Sequence, residues 1–424
     1  MLRRADFAPL AQPNFRRFWI GRTASSLGDG MVPVATAFAV LRAGGNATTL
    51  GLVLASGQGA RIAATLAGGV IADRRPRWLV MIGTDSFRTV VQTCVGVLLL
   101  LGLIRPWGIG LAACVYGAAA GIYIPASRGF VPLIVEKDNL QQSNALMTIS
   151  RSAAMTIGPA IAGLLIAAVG PGPPFLLDGA SFVANVVMLS RLTVKAAKTK
   201  QQQSARRDFA DGWREVVSRP WLRWTLVVHA LWNFGIAAFY VLGPVVAERS
   251  FGGAAAWGFI SAALSVGAFV GGAVALRWRP SRPLIVGNLL LLLGALPLVA
   301  LALPAPLAVV VVVTLVYNAG LIVLNELWTS TEQQLIPADA LARVVSWDWL
   351  ASLSSLPIGY AIAGPVAGVF GIRYAFAFGV TLTIVPVLAL VCLPSLRRIT
   401  MAKNGVVSDG SVAAEQVTAP IQAG

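Results

Sequence analysis

Charged residues are scarce in this chain, and acidic ones are the scarcer kind. Only 12% of the 424 residues are charged, with 17 Asp and Glu against 33 Lys and Arg, so the formal net charge is +16. A soluble protein has about a quarter charged residues. Apolar runs of roughly 20 residues, the length that crosses a bilayer as a helix, recur along the chain. The sequence therefore predicts an all-α polytopic membrane protein in a lipid bilayer.

Histidine and cysteine are rare as well. The chain has one histidine and three cysteines, and the cysteines lie far apart in apolar runs without a CxxC pair. The HExxH, GxSxG and Walker A sequences are absent, which disfavours a metalloprotease, a hydrolase with a nucleophile elbow and an ATP-driven pump. We therefore expect no enzyme activity, no metal site and no cofactor.

Twelve apolar runs have the length of membrane spans, and glycine and proline mark the turns between them. The predicted spans are 18–41, 50–72, 78–103, 108–130, 140–169, 174–192, 221–247, 255–276, 283–303, 306–328, 342–369 and 372–394. A polar, basic link separates the first six spans from the last six. An N-terminal segment, a first six-helix bundle, the linker, a second six-helix bundle and a disordered tail are therefore predicted at 1–17, 18–192, 193–220, 221–394 and 395–424. Within the linker, residues 208–219 predict a short amphipathic surface helix.

Basic residues concentrate in the links that a cytoplasmic N-terminus places inside the cell. Most of the 33 Lys and Arg fall there, as the positive-inside rule requires. An even number of spans returns the C-terminus to the same side. We predict a multi-pass protein of the inner (cytoplasmic) cell membrane with both termini in the cytoplasm. The same distribution accounts for the net positive charge, so no nucleic-acid partner is expected.

The two sets of spans align as internal repeats without a gap. Four identical pairs that share one sequence offset are Tyr116 with Tyr317, Gly158 with Gly359, Gly163 with Gly364 and Gly170 with Gly371. Parallel six-span repeats are one architecture of secondary transporters, in which the substrate site lies between the halves. The alignment therefore predicts two pseudo-repeated six-helix bundles and a transport function.

The link between spans two and three carries Gly69-x-x-x-Asp73-Arg74-x-x-Arg77. This sequence resembles the signature of the major facilitator superfamily, with Pro76 in place of the usual glycine. The resemblance implies a major-facilitator fold of twelve transmembrane helices that works by alternating access.

The carboxylate in this link predicts a conformational gate. The equivalent link of the second half has Leu276 at the aligned position, whereas its basic residues remain. The basic residues of both links thus set the membrane orientation of the chain, whereas only the first link has the carboxylate. We predict a latch that binds no cargo and that includes the start of span eleven, whose helix dipole favours a nearby carboxylate. Its residues are Gly69, Asp73, Arg74, Arg77, Arg128 and Asp348.

Span five contains Ala154-x-x-x-Gly158-Pro159-x-x-Ala162-Gly163, which is similar to the motif of the superfamily's antiporters. A Gly-Pro pair bends a helix, and small residues let a neighbouring helix approach closely. Gly158, Pro159 and Gly163 are therefore predicted to form a helix bend.

The first span begins with Asn-Phe-Arg-Arg-Phe-Trp-Ile-Gly at 14–21 and continues with Ser-Ser-Leu-Gly-Asp at 25–29. This stretch resembles the branch that holds macrolide-efflux and enterobactin-exporter-like proteins. We predict a monomer that exports a small amphipathic molecule (a drug, or a macrolide- or siderophore-like compound) in antiport with protons. An uptake symporter or facilitator has the same architecture and stays an alternative. A non-transporting receptor and a membrane enzyme are alternatives of other classes.

Ionisable residues inside spans cost about 2.5–3.5 kcal/mol at the bilayer centre, so they usually face a cavity or a partner. Asp29 and Arg61 lie midway along spans one and two, and we expect them to pair. The pair either binds substrate or gates a proton, or it is purely structural. Arg151 in span five is expected to hold an anionic substrate group, to tune Asp29, or to tie two spans together. Asp85 and Arg88 are expected to pair locally near the cytoplasmic side.

Further proton sites are predicted in the second half. His229 is the single histidine, and Asn233 lies one turn later on the same face of span seven. Its reference pKa near 6.5 suits proton coupling, although a lone histidine in a helix is more often a packing residue. Glu326 in span ten is either a second proton site or an interfacial carboxylate.

Overall fold

The computed structural model describes residues 4–192, 205–303, 305–402 and 404–409, and almost all of them are helical. A chain in lipid must satisfy its backbone hydrogen bonds internally, and apolar runs do so as α-helices. The α-helices of the described residues are α1 (Pro13–Arg42), α2 (Ala47–Arg74), α3 (Arg77–Leu100), α4 (Pro106–Arg128), α5 (Leu140–Val169), α6 (Gly172–Ser190), α7 (Ala205–Ser218), α8 (Pro220–Ser250), α9 (Ala254–Ala275), α10 (Pro283–Leu290), α11 (Ala295–Ala302), α12 (Leu307–Leu335), α13 (Ala338–Phe370), α14 (Ile372–Val391) and α15 (Pro394–Arg397). Short 3₁₀ segments span Arg4–Ala11, Val131–Leu133, Lys137–Asn139 and Leu291–Gly294.

Ten helical segments of the described chain are long and apolar enough to cross a membrane. They include Pro283–Ala302, which joins α10 and α11, and they do not include α2 or α3. Those two helices coincide with the predicted spans 50–72 and 78–103, and buried polar side chains lower the hydropathy of α3. Every predicted span overlaps a helix, and the all-α polytopic class is confirmed.

Two glycines that the internal repeat aligns have the same structural role. Gly170 follows α5 with φ of 94°, and Gly371 follows α13 with φ of 92°. Glycine is the residue that adopts positive φ without a steric penalty and so ends helices in this way. The matching backbone at both positions supports the repeat.

The ninth predicted span is interrupted where α10 gives way to the 3₁₀ segment and then to α11. Pro297 has no backbone N–H, so it cannot donate to the carbonyl of Leu293 and weakens the helix there. The indole N–H of Trp232 donates to the carbonyl oxygen of Leu291 at 3.0 Å. A side chain of α8 thus satisfies a carbonyl in the irregular turn.

The start of the predicted tail is ordered. After α15, strands β1 (Ile399–Met401) and β2 (Val407–Asp409) form an antiparallel hairpin. Gln334 of α12 holds it, since its amide donates to the carbonyl of Gly405 at 3.1 Å and its carbonyl accepts from the N–H of Val407 at 2.8 Å. The prediction of disorder from 395 onward is therefore wrong for residues 395–402 and 404–409, and residues 403 and 410–424 lie outside the described part.

The surface helix predicted at 208–219 corresponds to α7. Trp213 of α7 stacks on Trp347 of α13 with ring centroids 4.8 Å apart. A Cβ on Gly212 would lie 3.0 Å from the Cβ of Arg343, so the two helices touch along this face. The linker residues 193–204 that precede α7 lie outside the described part.

The chain packs as two units. One comprises Met1–Gln201, Tyr240–Ser265 and Tyr360–Phe370, and the other comprises Gln202–Phe239, Val266–Gly359 and Gly371–Gly424. One boundary between the units, from Gln201 to Gln202, falls within the predicted linker, but the first unit also contains parts of α8, α9 and α13. The division into six-helix bundles at 18–192 and 221–394 stays a prediction.

An apolar cluster in the first unit supports the polar residues described below. Phe15 and Phe18 of α1 pack with Met81 of α3 and with Phe130, which follows α4, and all four side chains are buried. The rings of Phe18 and Phe130 lie 5.3 Å apart in a tilted arrangement. The cluster fixes α1, α3 and α4 against one another at one end.

Candidate functional site

Asp29 of α1 contacts two arginine side chains and the hydroxyl group of a tyrosine. The hydroxyl of Tyr116 donates to Asp29 Oδ1 at 2.7 Å. Arg22 Nη1 lies 3.5 Å from Asp29 Oδ2, and Arg88 Nη1 lies 3.5 Å from Oδ1. The Asp29 side chain keeps 22% exposure, so it combines strong interactions with access from outside the protein interior.

The predicted pair of Asp29 with Arg61 is therefore wrong. The reason is helix packing: α1 packs mainly against α5 and α6, whereas α2 packs against α4. Helices that are consecutive in sequence are here not the closest neighbours. The arginine partners of Asp29 come from its own helix and from α3.

Arg88 is buried and surrounded by aromatic rings. Its guanidinium carbon lies 4.1 Å from the ring centroid of Phe182 and 4.8 Å from that of Tyr123. It donates to Asp85 as well as to Asp29. Asp85 and Arg88 do pair, as expected, and both side chains are almost completely buried.

Asn185 of α6 completes the shell of Asp85. Its amide donates to Asp85 Oδ2 at 2.6 Å and reaches the hydroxyl of Tyr123 at 3.5 Å. Gly21 of α1 makes room, because a Cβ there would lie 2.5 Å from Asn185 Oδ1. The charges of Asp85 and Arg88 are thus neutralised by partners from three helices.

Asp178 of α6 is a fully buried carboxyl that sequence reasoning missed. The amide of Gln92 donates to its Oδ2, and its Oδ1 has no hydrogen-bond partner among the described residues. Gly28 lies directly against it, since a Cβ there would be 2.2 Å from Oδ1. Its position inside the predicted span 174–192 was the available signal, because intramembrane carboxylates are functional candidates by default.

The set of nine residues defined here as the polar cluster is Arg22, Asp29, Asp85, Arg88, Gln92, Tyr116, Tyr123, Asp178 and Asn185.

The side chains of Arg61 in α2 and Arg151 in α5 are exposed. The indole N–H of Trp19 in α1 donates to Ser150 Oγ at 2.9 Å, which places the residue before Arg151 beside α1. Among ion pairs between described residues, none includes Arg61 or Arg151. Of the predicted site residues Asp29, Arg61 and Arg151 of the first unit, Asp29 is the one that ion pairs hold within the described part of the chain.

His229 belongs to a separate group in the second unit. Its Nε2 lies 3.2 Å from Oδ1 of Asn288, and its ring packs edge-on against Trp328 with centroids 5.3 Å apart. The indole of Trp328 donates to Asp348 Oδ2 at 3.1 Å. The side-chain amide of Asn233 donates to the backbone carbonyl oxygen of His229 at 2.9 Å.

Two carboxylates of α12 differ in burial. Glu326 is exposed, whereas Glu332 is almost completely buried, and its Oε1 has no hydrogen-bond partner among the described residues. Sequence reasoning missed Glu332 because the apolar run of span ten ended at 328, although the helix continues to Leu335. In the described part of the chain, no three His, Cys, Asp or Glu side chains group as a metal site.

The predicted gate is only partly described. The side chain of Asp73 lies outside the described part, so its latch with Asp348 stays a prediction. Asp348 itself accepts from Trp328 and, at 3.0 Å, from the hydroxyl of Ser352. Arg77 packs over Gly129, where a Cβ would collide with its guanidinium at 1.2 Å. The basic side chain at the end of the signature thus lies across the end of α4.

The glycines of the span-five motif make close helix contacts. A Cβ on Gly158 would lie 2.9 Å from the carbonyl carbon of Gly30 in α1. A Cβ on Gly163 would lie 2.6 Å from the carbonyl oxygen of Ala254 in α9. Pro159, between them, is buried within α5. Gly158 and Gly163 thus give this helix small residues on two packing faces.

Replacing Gly158 with valine is expected to destabilise the protein by about 1–3 kcal/mol, because overpacking a tight contact forces backbone shifts. The obstacle is the backbone of Gly30, which cannot rotate away as a side chain can. Thermal unfolding in detergent, followed by tryptophan fluorescence, measures the change. Gly59 offers a matched control, since a Cβ added there would meet nothing within 4 Å. Equal midpoints for Gly158→Val and Gly59→Val would contradict the assignment.

Comparisons with known proteins agree with this fold. The transmembrane secretion effector family matches residues 4–418. The enterobactin exporters EntS of Escherichia coli strain UTI89 and of Shigella boydii serotype 18 are each 26% identical over 409 residues, which cover 94% of this chain and 96% of each relative.

Solved structures resemble the chain at lower identity. The nucleoside transporter NupG superposes with a TM-score of 0.71 at 12% identity, covering 89% of this chain and 98% of that one. A bacterial homologue of the iron transporter ferroportin in an inward-facing state gives a TM-score of 0.67 at 16% identity, covering 89% and 97%. These likenesses show the fold alone. Since the family match spans nearly the whole chain, the protein belongs to the transmembrane secretion effector family and is a transporter of the major facilitator superfamily, not an enzyme.

Proposed function

We propose that this protein exports a small amphipathic molecule by alternating access, in antiport with protons. The observation that carries the proposal is Asp29, a partly exposed carboxylate that contacts the guanidinium groups of Arg22 and Arg88 and the hydroxyl of Tyr116. A carboxylate that is both reachable and strongly partnered can exchange a proton and transmit the change to several helices.

Protonation of Asp29 removes the negative charge that attracts Arg22 and Arg88. The two guanidinium groups then repel each other with less compensation, and the contacts that join α1 to α3 weaken. A change of this kind alters the relative free energies of two conformations and so shifts their populations. Proton release restores the contacts, which gives each transport cycle a charge-dependent step.

The substrate class rests on the family and on its relatives. The enterobactin exporters match over nearly the whole chain, which supports export of a siderophore-like molecule. A macrolide-like or drug-like substrate rests on the resemblance of the first span alone. His229 and Glu326 are lesser candidates for the proton site, and Asn233 orients the turn next to His229. The two six-helix bundles rock about a midplane site, with α5 bending at Gly158.

The protein acts as a monomer in the inner membrane, and both termini are cytoplasmic. The gate described above closes on that side through Asp73, Arg74, Arg77 and Arg128, together with Asp348. The positive-inside rule supports this orientation.

Transport by everted inner-membrane vesicles tests the proposal. Vesicles that contain the protein are expected to accumulate enterobactin, erythromycin or rhodamine 6G when respiration acidifies their interior, and a protonophore should abolish the accumulation. Accumulation should also release protons from the vesicles. Accumulation by right-side-out vesicles together with proton entry would instead identify an uptake symporter. Equilibration that does not depend on the gradient would identify a facilitator. If none of these substrates moves, the protein does not transport them.

A further inference from the structure

The polar cluster contains more acidic than basic side chains. Its carboxyl groups belong to Asp29, Asp85 and Asp178, whereas its guanidinium groups belong to Arg22 and Arg88. The two arginines form ion pairs with Asp29 and Asp85, and no ion pair between described residues includes Asp178. If every carboxyl group of the cluster were ionised, one negative charge would be in excess inside the protein. A single bound proton makes the cluster neutral.

Asp178 is the carboxyl group of the cluster with the least compensation. Its side chain is fully buried, and its hydrogen bond comes from the neutral amide of Gln92, which donates to Oδ2. Its Oδ1 has no hydrogen-bond partner within the described part of the chain. An ionised carboxylate without a cation is costly in a protein interior, so such a group takes up a proton instead. The proton that makes the cluster neutral therefore belongs on Asp178.

The surroundings of Asp178 Oδ1 suit an O–H group. Gly28 of α1 lies against it, since a Cβ there would collide with Oδ1 and would lie 2.6 Å from Oγ of Ser181. The hydroxyl of Ser181 donates to the backbone carbonyl of Asp178 at 2.7 Å, and its oxygen can still accept a hydrogen bond. An acceptor therefore lies close to the place where Oδ1 would carry the proton.

The contact with Gly28 also joins Asp178 to the exposed side of the cluster. Asp29 follows Gly28 in α1, and its side chain keeps 22% exposure. The hydroxyl of Tyr116 donates to Asp29 at 2.7 Å. The ring of Tyr116 packs against Phe182, one turn after Asp178 in α6, with centroids 6.2 Å apart. Asp29 is thus an accessible carboxyl group beside a buried one.

The other ionisable groups on the helices around Asp178 do not balance a charge on it. α6 packs mainly against α1 and α3. α5, which turns into α6 at Gly170, has Arg151 as its one ionisable side chain, roughly 18 Å along the helix axis from the level of Asp178. Within the polar cluster, α1 and α3 contribute charged groups that pair with one another, and α4 contributes phenols. These residues are Arg22, Asp29, Asp85, Arg88, Tyr116 and Tyr123.

We propose that Asp178 is a second proton-binding residue of the transport cycle, which holds a proton in this conformation and exchanges it through Asp29. The inference rests on the proposed proton antiport and names a further residue for it. In the exchange, the O–H bond of Asp178 breaks and an O–H bond forms on the carboxylate of Asp29, which then releases the proton to solvent. No electrons are transferred. Loss of the proton leaves the excess negative charge in the cluster, so it favours a conformation in which Asp178 is less buried.

Infrared spectroscopy of the purified protein in detergent tests for the proton directly. A protonated carboxyl group has a C=O band at a higher frequency than any carboxylate band, and at about pH 8 exposed Asp and Glu side chains are ionised. The wild-type protein should show such a band, and Asp178→Asn should lose it. Glu332→Gln removes another buried carboxyl group and is the matched control, which should retain the Asp178 band.

Two infrared results would overturn the proton on Asp178. One is an unchanged carboxyl band in Asp178→Asn. The other needs no variant: isotopically labelled aspartate in the wild-type protein should shift the band, and a band that does not shift comes from glutamate.

The rate of exchange in heavy water tests the route through Asp29. Deuterium lowers the frequency of the C=O band, so the time course of the shift measures how fast the proton exchanges. Asp29→Asn should retain the band but slow its shift by about a hundredfold, because a positioned proton-transfer group accelerates a reaction by about that factor or more. Asp211→Asn on the exposed helix α7 is the control and should exchange as the wild type does. Equal rates in Asp29→Asn and the wild type would contradict the route.

Transport by everted vesicles separates this inference from the proposed function. Asp178→Asn should lose most of its gradient-driven accumulation and retain the exchange of labelled for unlabelled substrate. Wild-type proton coupling in Asp178→Asn would overturn the inference and keep the function. Export without proton movement by the wild-type protein, with the infrared band present, would instead overturn the antiport and leave the proton on Asp178 in place.

Discussion

Asp29→Asn is expected to slow gradient-driven export by about tenfold to a hundredfold while leaving membrane insertion intact. The amide has nearly the shape of the carboxylate, but it neither binds nor releases a proton in the working pH range. It also replaces one charge-assisted acceptor of Arg22 and Arg88 with a neutral group. Hydrogen bonds to charged groups contribute about 1.5–3 kcal/mol each, so the loss of rate should reach about tenfold to a hundredfold. Initial rates of substrate accumulation in everted vesicles, normalised to the protein level, measure the effect.

A second measurement separates proton coupling from a structural role of Asp29. Exchange of labelled for unlabelled substrate across the membrane without a gradient needs no net proton movement, so Asp29→Asn should retain it. Asp211→Asn, on the exposed helix α7, is the matched control, because its ion pair with Arg214 lies at the surface, where such pairs contribute little. Normal gradient-driven export by Asp29→Asn would contradict the proposed role. A loss of exchange together with a lowered unfolding midpoint would indicate that Asp29 is purely structural.

Local patterns in the sequence were sufficient to locate the helices. Runs of apolar residues with the length of a bilayer crossing correspond to helices throughout the described chain, because lipid leaves the backbone no other way to satisfy its hydrogen bonds. The repeat was visible for a similar reason: Gly170 and Gly371 occupy positions where the backbone has positive φ, and that requirement retains glycine in both halves.

The partners of Asp29 could not be predicted from the same patterns. Its contacts depend on which helices are neighbours, and α1 meets α3 and α6 residues that are far away in sequence. The sequence predicted a pair of Asp29 with Arg61 because the two residues lie at similar depth on consecutive helices. The pair does not form because α1 packs mainly against α5 and α6, whereas α2 packs against α4. The ordered hairpin after α15 was missed for a related reason, since Gln334 in a distant helix supplies its hydrogen bonds.

Burial also separates the residues that were found from those that were missed. Asp178 and Glu332 are almost completely buried, and neither has a charged partner within hydrogen-bonding distance among the described residues. A search for pairs of opposite charge along the sequence passes over such groups. Asp178 lies against Gly28, one residue before Asp29, so it is the first residue to add to any mutational survey of the site.

Arg88→Met is expected to destabilise the protein by about 3–5 kcal/mol, the usual effect of removing one partner of a buried ion pair. The reason lies with Asp85, which is completely buried and would lose its guanidinium partner, while the amide of Asn185 would remain as a hydrogen-bond donor. Methionine fills most of the space between Phe182 and Tyr123, so a cavity contributes little. The midpoint of chemical unfolding in detergent, followed by tryptophan fluorescence, measures the loss.

The double variant Asp85→Asn with Arg88→Met isolates the cause. Removing the carboxylate together with its guanidinium leaves no uncompensated charge, and replacing a buried ion pair by neutral groups is often nearly neutral. The double variant should therefore recover most of the stability that Arg88→Met loses, a coupling of more than about 1 kcal/mol in a mutant cycle. Equal destabilisation in the single and double variants would instead attribute the effect to lost contacts of Arg88 with the aromatic rings. Arg88→Lys gives a further check, because a compact ammonium keeps the charge but cannot reach Asp29 and Asp85 with separate nitrogens.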